Sequence, residues 1–271
     1  MLKQRVLTAL LLAPLVLWGV LVATPMWFAL ALGVVFAMGA WEWSRLSGLV
    51  RWPGRLLYVL LAIAGMWLLY QGLSITNFAL MVLVVAMMWW VMALMAVLSY
   101  PQGNLLWQQS ALARGCAGML VLLPAWLALV VLHSEESLGA IWVILLMLLI
   151  WAADTGAYFA GRRFGRHKLA PSVSPGKSWE GVAGGVVLAL VVAVLATWWL
   201  SLAAHWVAYL GLVMLTILIS VLGDLSESLF KRIAGIKDSG GLLPGHGGIL
   251  DRIDSLTAAA PLFVLGLLWL G

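Results

Sequence analysis

Residues 78–98 read FALMVLVVAMMWWVMALMAVL, with no charged side chain anywhere along the run. A helix rises 1.5 Å per residue, so a run of about 20 apolar residues crosses the ~30 Å hydrocarbon core of a bilayer. A helix at the surface of a soluble protein would carry a polar face, and this one has none. Working outward, eight further runs of the same kind can be drawn, at about 6–23, 26–44, 56–72, 112–132, 140–160, 182–202, 206–223 and 255–270. Strands of a membrane barrel would be about 10 residues long and alternate in polarity, which these runs do not. The expected fold class is all-α: a polytopic integral membrane helical bundle of about nine transmembrane helices.

Composition agrees. The 271 residues are 65% hydrophobic and 9% charged, against roughly 45–50% and about 25% in soluble domains. A water-soluble enzyme, an isolated DNA-binding domain and a disordered chain are excluded. The net charge of +5 is explained by loop orientation, with no nucleic acid as partner. A single cysteine, Cys116, permits no intrachain disulfide and no cysteine-based metal site, and four scattered histidines make no zinc site. Lys3 and Arg5 precede the first run, which is longer than the 7–15 residues of a signal-peptide core and reads as a retained span.

The connecting segments are of two kinds that alternate along the chain. Those around Thr24-Pro25, Gln71–Asn77, His133–Gly139 and Ala203–His205 hold no Lys or Arg, whereas the others hold all fifteen. With nine helices and a cytoplasmic N-terminus, every basic residue falls on the cytoplasmic side and the C-terminus is extracytoplasmic. Trp27, Trp41, Trp52, Trp107, Trp142 and Trp206 stand near span ends, where interfacial anchoring is expected.

Two cytoplasmic segments are long enough to carry chemistry. In the second, Asp224, Glu227, Ser228, Lys231 and Arg232 share one face if the eighth span continues as a helix. A solvated salt-bridged helix would have that pattern too, and Glu227 reads as a partner of Lys231. The loop that follows is less ordinary: Gly240, Gly241, Gly245, Gly247 and Gly248, interrupted by Pro244 and His246, bring backbone N–H groups close to a ligand. Asp251, Arg252 and Asp254 then enter the last span. Carboxylates together with phosphate oxygens are the ordinary ligands of Mg²⁺, and Lys or Arg suits the remaining phosphate charge.

In the first segment, Asp154 lies within the sixth span with Tyr158 one turn on. An ionised Asp in hydrocarbon costs roughly 2.5–3.5 kcal/mol, so it is expected to face the bundle interior or a wet cavity. Arg162, Arg163, Arg166 and Lys168 follow, then Ser174-Pro175-Gly176-Lys177-Ser178-Trp179-Glu180-Gly181. Anionic lipid alone needs only scattered basic residues. The Ser-Pro-Gly-Lys-Ser turn offers Lys177, two hydroxyls and free N–H groups to a polyphosphate. The spacing is not that of a Walker A loop.

The run Ser228-Leu-Phe-Lys231-Arg232, then Lys237-Asp238, then Leu243-Pro244-Gly245-His246-Gly247-Gly248-Ile249, then Asp251-Arg252-Ile253-Asp254 resembles the signature of phosphatidate cytidylyltransferases, also called CDP-diacylglycerol synthases. Asp154–Tyr158 and Ser174–Gly181 resemble the same family, with Ser178 where Thr is common. Over residues 1–140 the likeness is one of composition only. The resemblance implies transfer of CMP from CTP to phosphatidic acid, with release of pyrophosphate. It implies Mg²⁺ on Asp224, Asp251 and Asp254, with room for a second, monovalent or divalent, ion. Lys231, Arg232, Lys237 and Arg252 would offset phosphate charge, and Asp238 belongs to the same signature. His246 would either donate to pyrophosphate or fix the glycine loop. Asp154, Tyr158, Lys168, Ser174, Lys177, Ser178, Ser228, Gly247 and Gly248 would contact substrate.

On this reading residues 1–140 are N-terminal scaffold helices facing lipid. Residues 141–271 are the catalytic region, with cytoplasmic loops 161–181 and 224–254, in a cell inner membrane. Membrane lipids are partners, and the sequence leaves room for a homodimer. Three alternatives compete: a CDP-alcohol phosphotransferase, whose spaced aspartates are not found; a CTP-dependent lipid cytidylyltransferase or kinase on another lipid; and a lipid or anion transporter, which would string polar residues across several spans.

Overall fold

The computed structural model describes residues 14–103, 105–200, 206–240 and 247–270. Residues 14–22 are helical (α1), and the first part of the expected span 6–23 lies outside the described residues. Then follow α2 (Pro25–Leu46), α3 (Trp52–Gly72), α4 (Phe78–Ser99), the short α5 (Leu105–Gln109), α6 (Ala111–His133) and α7 (Gly139–Phe164). A two-stranded sheet, β1 (Lys168–Ala170) and β2 (Ser174–Ser178), precedes α8 (Trp179–Trp199), α9 (Trp206–Ile233) and α10 (Leu250–Leu270). Among the described residues eight helices are long and apolar enough to cross a membrane: α2, α3, α4, α6, α7, α8, α9 and α10. The protein is a polytopic membrane helical bundle.

α6 is the central post. Of its apolar window 67% is buried, against 17% for α3 at the periphery, and it packs on α2, α3, α4, α7 and α10. α10 stands beside it, against α9, α4, α7 and α2. The outward faces of α3, α4 and α8 expose large apolar side chains such as Trp67, Met88 and Val187, as surfaces turned to lipid do. α7 and α8 form the tightest pair. A Cβ on Gly156 would strike the Gly184 carbonyl, and one on Gly185 the Ala153 carbonyl. Small residues let the two backbones approach where no hydrophobic force drives helices together in lipid.

The polar segments differ from the sequence-based expectation in three ways. First, the helices outrun their apolar stretches at this face. α7 extends to Phe164, α9 to Ile233, and α10 starts at Leu250, because one polar face does not interrupt helical hydrogen bonding. Second, Ser174–Ser178 is a strand and not a turn. It pairs antiparallel with β1 in the register Lys168↔Ser178 and Ala170↔Ser174, with an irregularity between. The chain reverses at residues 171–173, where the Val173 N–H donates to the Ala170 carbonyl (3.1 Å). Pro175 is tolerated because a two-stranded ribbon has two free edges. Third, not every tryptophan anchors at the membrane surface. Trp27, Trp52 and Trp206 are exposed, but Trp142 is buried against Tyr209 and Phe263. Trp107 sets its edge against Trp89 and Phe230, and Trp41 lies under the Arg55 guanidinium, 3.8 Å away.

Candidate active site

α9 delivers the expected face. Asp224, Glu227, Ser228 and Lys231 line the side that meets α10 and the hairpin. Where α10 crosses α9 a Cβ on Gly223 would collide with the Asp254 carbonyl, so the two helices run close enough for their carboxylates to share one site. Lys231 Nζ donates to Asp251 Oδ1 (2.8 Å) and lies 3.3 Å from Glu227 Oε2. Asp251 Oδ2 accepts from the Gly248 N–H (2.8 Å), which ties the exit of the glycine loop to the first turn of α10. Gly247 just before it has φ +81°, a left-handed conformation suited to glycine.

A second ion pair closes the site from the hairpin. Lys177 Nζ lies 2.8 Å from Asp224 Oδ2, and Ser228 Oγ donates to Asp224 Oδ1 (3.3 Å). Arg232 does not share the task of its neighbour Lys231. Its guanidinium turns outward, and Nε donates to the Val173 carbonyl at the hairpin reversal (3.1 Å). Val173 itself is 1% exposed, so the reversal is held by both an apolar plug and a charged donor.

The remaining predicted residues fall around this centre. Asp154 is exposed on α7, within electrostatic reach of Asp224, Lys177 and Arg252, which places it at the polar rim and not inside the bundle. Tyr158 is exposed, and its hydroxyl accepts from Arg162 Nη1 (2.9 Å). Lys168 is exposed, Ser174 half-buried, and Lys237 and Asp238 are exposed. Ser178 is buried, and its Oγ accepts from the Gly181 N–H (3.1 Å). Its hydroxyl therefore caps α8. His246, with Pro244, Gly241 and Gly245, lies outside the described residues.

Glu227 is 2% exposed and faces Asp254, carboxyl to carboxyl. Behind them is a small enclosed pocket walled by Trp43, Trp90, Val121 and Leu250. Among the described residues neither Glu227 oxygen has a hydrogen-bond donor. Facing carboxyls cannot both stay ionised without a shared proton or a cation between them. The donor set therefore fits Mg²⁺ in its chemistry. It is not a finished cage: among the described residues no three acidic, histidine or cysteine groups stand together as metal ligands. Asp224 and Asp251 are each engaged by a lysine. That is the expected state of a site completed by phosphate oxygens and water.

One residue of this region escapes a reading by segments. Glu42, on α2 in the N-terminal half, is 1% exposed. Its Oε2 accepts from Ser239 Oγ (3.1 Å) and from the Leu250 N–H (2.8 Å). The available signal was a lone carboxylate inside an apolar run, which costs free energy unless something satisfies it.

A membrane bundle that gathers lysines, a glycine loop and carboxylates at one face is the architecture of a lipid-linked phosphoryl-group enzyme. Residues 3–269 match the Cytidylyltransferase family, and the chain belongs to that family. It is 48% identical to the phosphatidate cytidylyltransferase of Pseudomonas aeruginosa strain PAO1, over 99% of this chain and 97% of that one. It is 41% identical to the phosphatidate cytidylyltransferase of Haemophilus influenzae, over 97% of both chains. With that of Brucella suis the identity is 32%, over 97% of this chain and 92% of the relative.

Proposed function

We propose that this protein transfers CMP from CTP to phosphatidic acid, giving CDP-diacylglycerol and pyrophosphate in phospholipid biosynthesis. The observation that carries the reading is end-to-end similarity to phosphatidate cytidylyltransferases, joined to a site whose charges suit a nucleotide triphosphate. A phosphatidate oxygen attacks the α-phosphorus of CTP, a new P–O bond forms, and the bond to the bridging oxygen breaks as pyrophosphate leaves. The nucleophile is already ionised near neutral pH, so no strong general base is needed. Positioning and electrostatic stabilisation supply the rate.

Lys177 and Lys231 are the cations nearest the carboxylate cluster. On substrate binding they exchange Asp224 and Asp251 for phosphate oxygens. Arg232 holds the hairpin, and with it Lys177, against α9. Gly247 and Gly248 bring the loop backbone close to Asp251. Asp224, Asp251 and Asp254 would hold Mg²⁺ together with nucleotide oxygens, and the ion would withdraw charge from the α-phosphoryl group. The basic segments, and so the whole site, lie on the cytoplasmic side of an inner membrane, which is where CTP is present. Residues 1–140 then act mainly as scaffold for a catalytic region at 141–271. The test is pyrophosphate release by the purified protein. The proposal expects release only when CTP and phosphatidic acid are both present, and release without the lipid would defeat it.

A further inference from the structure

We propose that Glu42 is a positioning residue: a buried carboxylate on the N-terminal helix α2 that fixes both ends of the glycine loop and so sets the place of Asp251. A carboxyl group 1% exposed is costly unless hydrogen bonds replace the lost water. Its donors are Ser239 Oγ and the Leu250 N–H, 197 and 208 residues away along the chain. One precedes the glycine loop and the other follows it. The contact is close enough to dictate sequence on the other side. A Cβ on Gly240 would collide with Glu42 Oε1, and one on Gly248 with both Glu42 Oε2 and Ser239 Oγ. Gly240 and Gly248 are thus small so that the loop can lie against this carboxylate.

The consequence for the site runs through three consecutive features. The Leu250 N–H is anchored by Glu42, the next residue is Asp251, and Asp251 in turn binds the Gly248 N–H and Lys231. Without the Glu42 contact, the first turn of α10 and the Gly248 amide lose their common anchor, and Asp251 loses its fixed direction. The N-terminal half therefore reaches into the site and is more than scaffold. The role of Asp251 in CMP transfer rests on the function proposed above, whereas the anchoring of the loop does not.

The experiment uses the purified full-length protein and its Glu42→Ala, Glu42→Gln and Ser239→Ala variants, with two readouts. Amide hydrogen exchange over residues 247–251 needs no catalysis. Steady-state rates against CTP and against Mg²⁺ report on the site. Glu42→Ala is expected to raise exchange at 247–251 by ~10-fold or more and to lower kcat by ~10- to 100-fold, with a smaller change in KM for CTP. Glu42→Gln keeps an acceptor for the Leu250 N–H and should restore most of both. Unchanged exchange in Glu42→Ala, or a Gln variant as defective as the Ala variant, overturns the proposal. If Glu42→Ala does not fold, Ser239→Ala decides instead, since it removes one of the two donors. A several-fold rise in exchange and fall in kcat supports the proposal, and no change in either overturns it. If the wild-type protein made no CDP-diacylglycerol, the functional reading would fall while the exchange data still judged the anchor.

Discussion

Asp224 and Asp251 each carry a lysine in the substrate-free arrangement, and what they do when that lysine is drawn to phosphate is the first thing to test. Asn has the volume of Asp without the charge. Asp224→Asn and Asp251→Asn should each lower the initial rate by at least ~10²-fold, the usual cost of losing a contact to developing charge. Thermal stability should stay near that of the parent. Rates measured against Mg²⁺ concentration distinguish loss of metal affinity from loss of fold. Glu227→Gln should cost less, because the amide can donate to Asp254 where two carboxyls now face each other. Lys177→Ala should raise KM for CTP while membrane insertion is unaffected, since the other four basic residues of residues 161–181 still set orientation. Most of these residues were visible in the sequence as helical spacing and charge. The division of labour between Lys231 and Arg232 was not, because neighbours on a helix point about 100° apart and spacing alone does not say what each side meets.

At the scale of elements, the spans were legible because a continuous apolar run of bilayer length has one stable solution in lipid. The hairpin was not. Ser174–Ser178 has little intrinsic preference for a strand, and it becomes one because Val173 is buried and Arg232 grips the Val173 carbonyl. Ser178 read as a phosphate contact, yet it ends that strand and caps the next helix. Ser178→Ala should therefore lower stability by about 1 kcal/mol through loss of the cap, whereas Ser178→Thr should retain it. Thermal unfolding in one detergent checks the pair. The α7–α8 contact makes a stronger demand: Gly156→Val would drive a side chain into the backbone of Gly184. The expected loss is 1–3 kcal/mol or more, seen as a lower unfolding temperature with the hairpin and Lys177 displaced.

The whole molecule joins two halves that look unalike in sequence. Residues 1–140 carry few charges, and their apolar content suggests scaffold, but Glu42 crosses that division to hold Ser239 and Leu250. Only folding shows this, because nothing local to α2 names its partners some two hundred residues on. The distribution of Lys and Arg, by contrast, is a global signal that sequence carries well. A reporter fused at Gly271 should read as extracytoplasmic and one within residues 161–181 as cytoplasmic. The same compartment for both would overturn the count of nine spans. The central claim is the chemistry at that cytoplasmic face, and it is tested most directly by following phosphorus. With CTP labelled at the α-position and phosphatidic acid in mixed micelles, the label should appear in CDP-diacylglycerol, matched mole for mole by unlabelled pyrophosphate, and both should vanish in Asp251→Asn. Label that stays in CDP while the γ-phosphate moves to lipid would contradict the account.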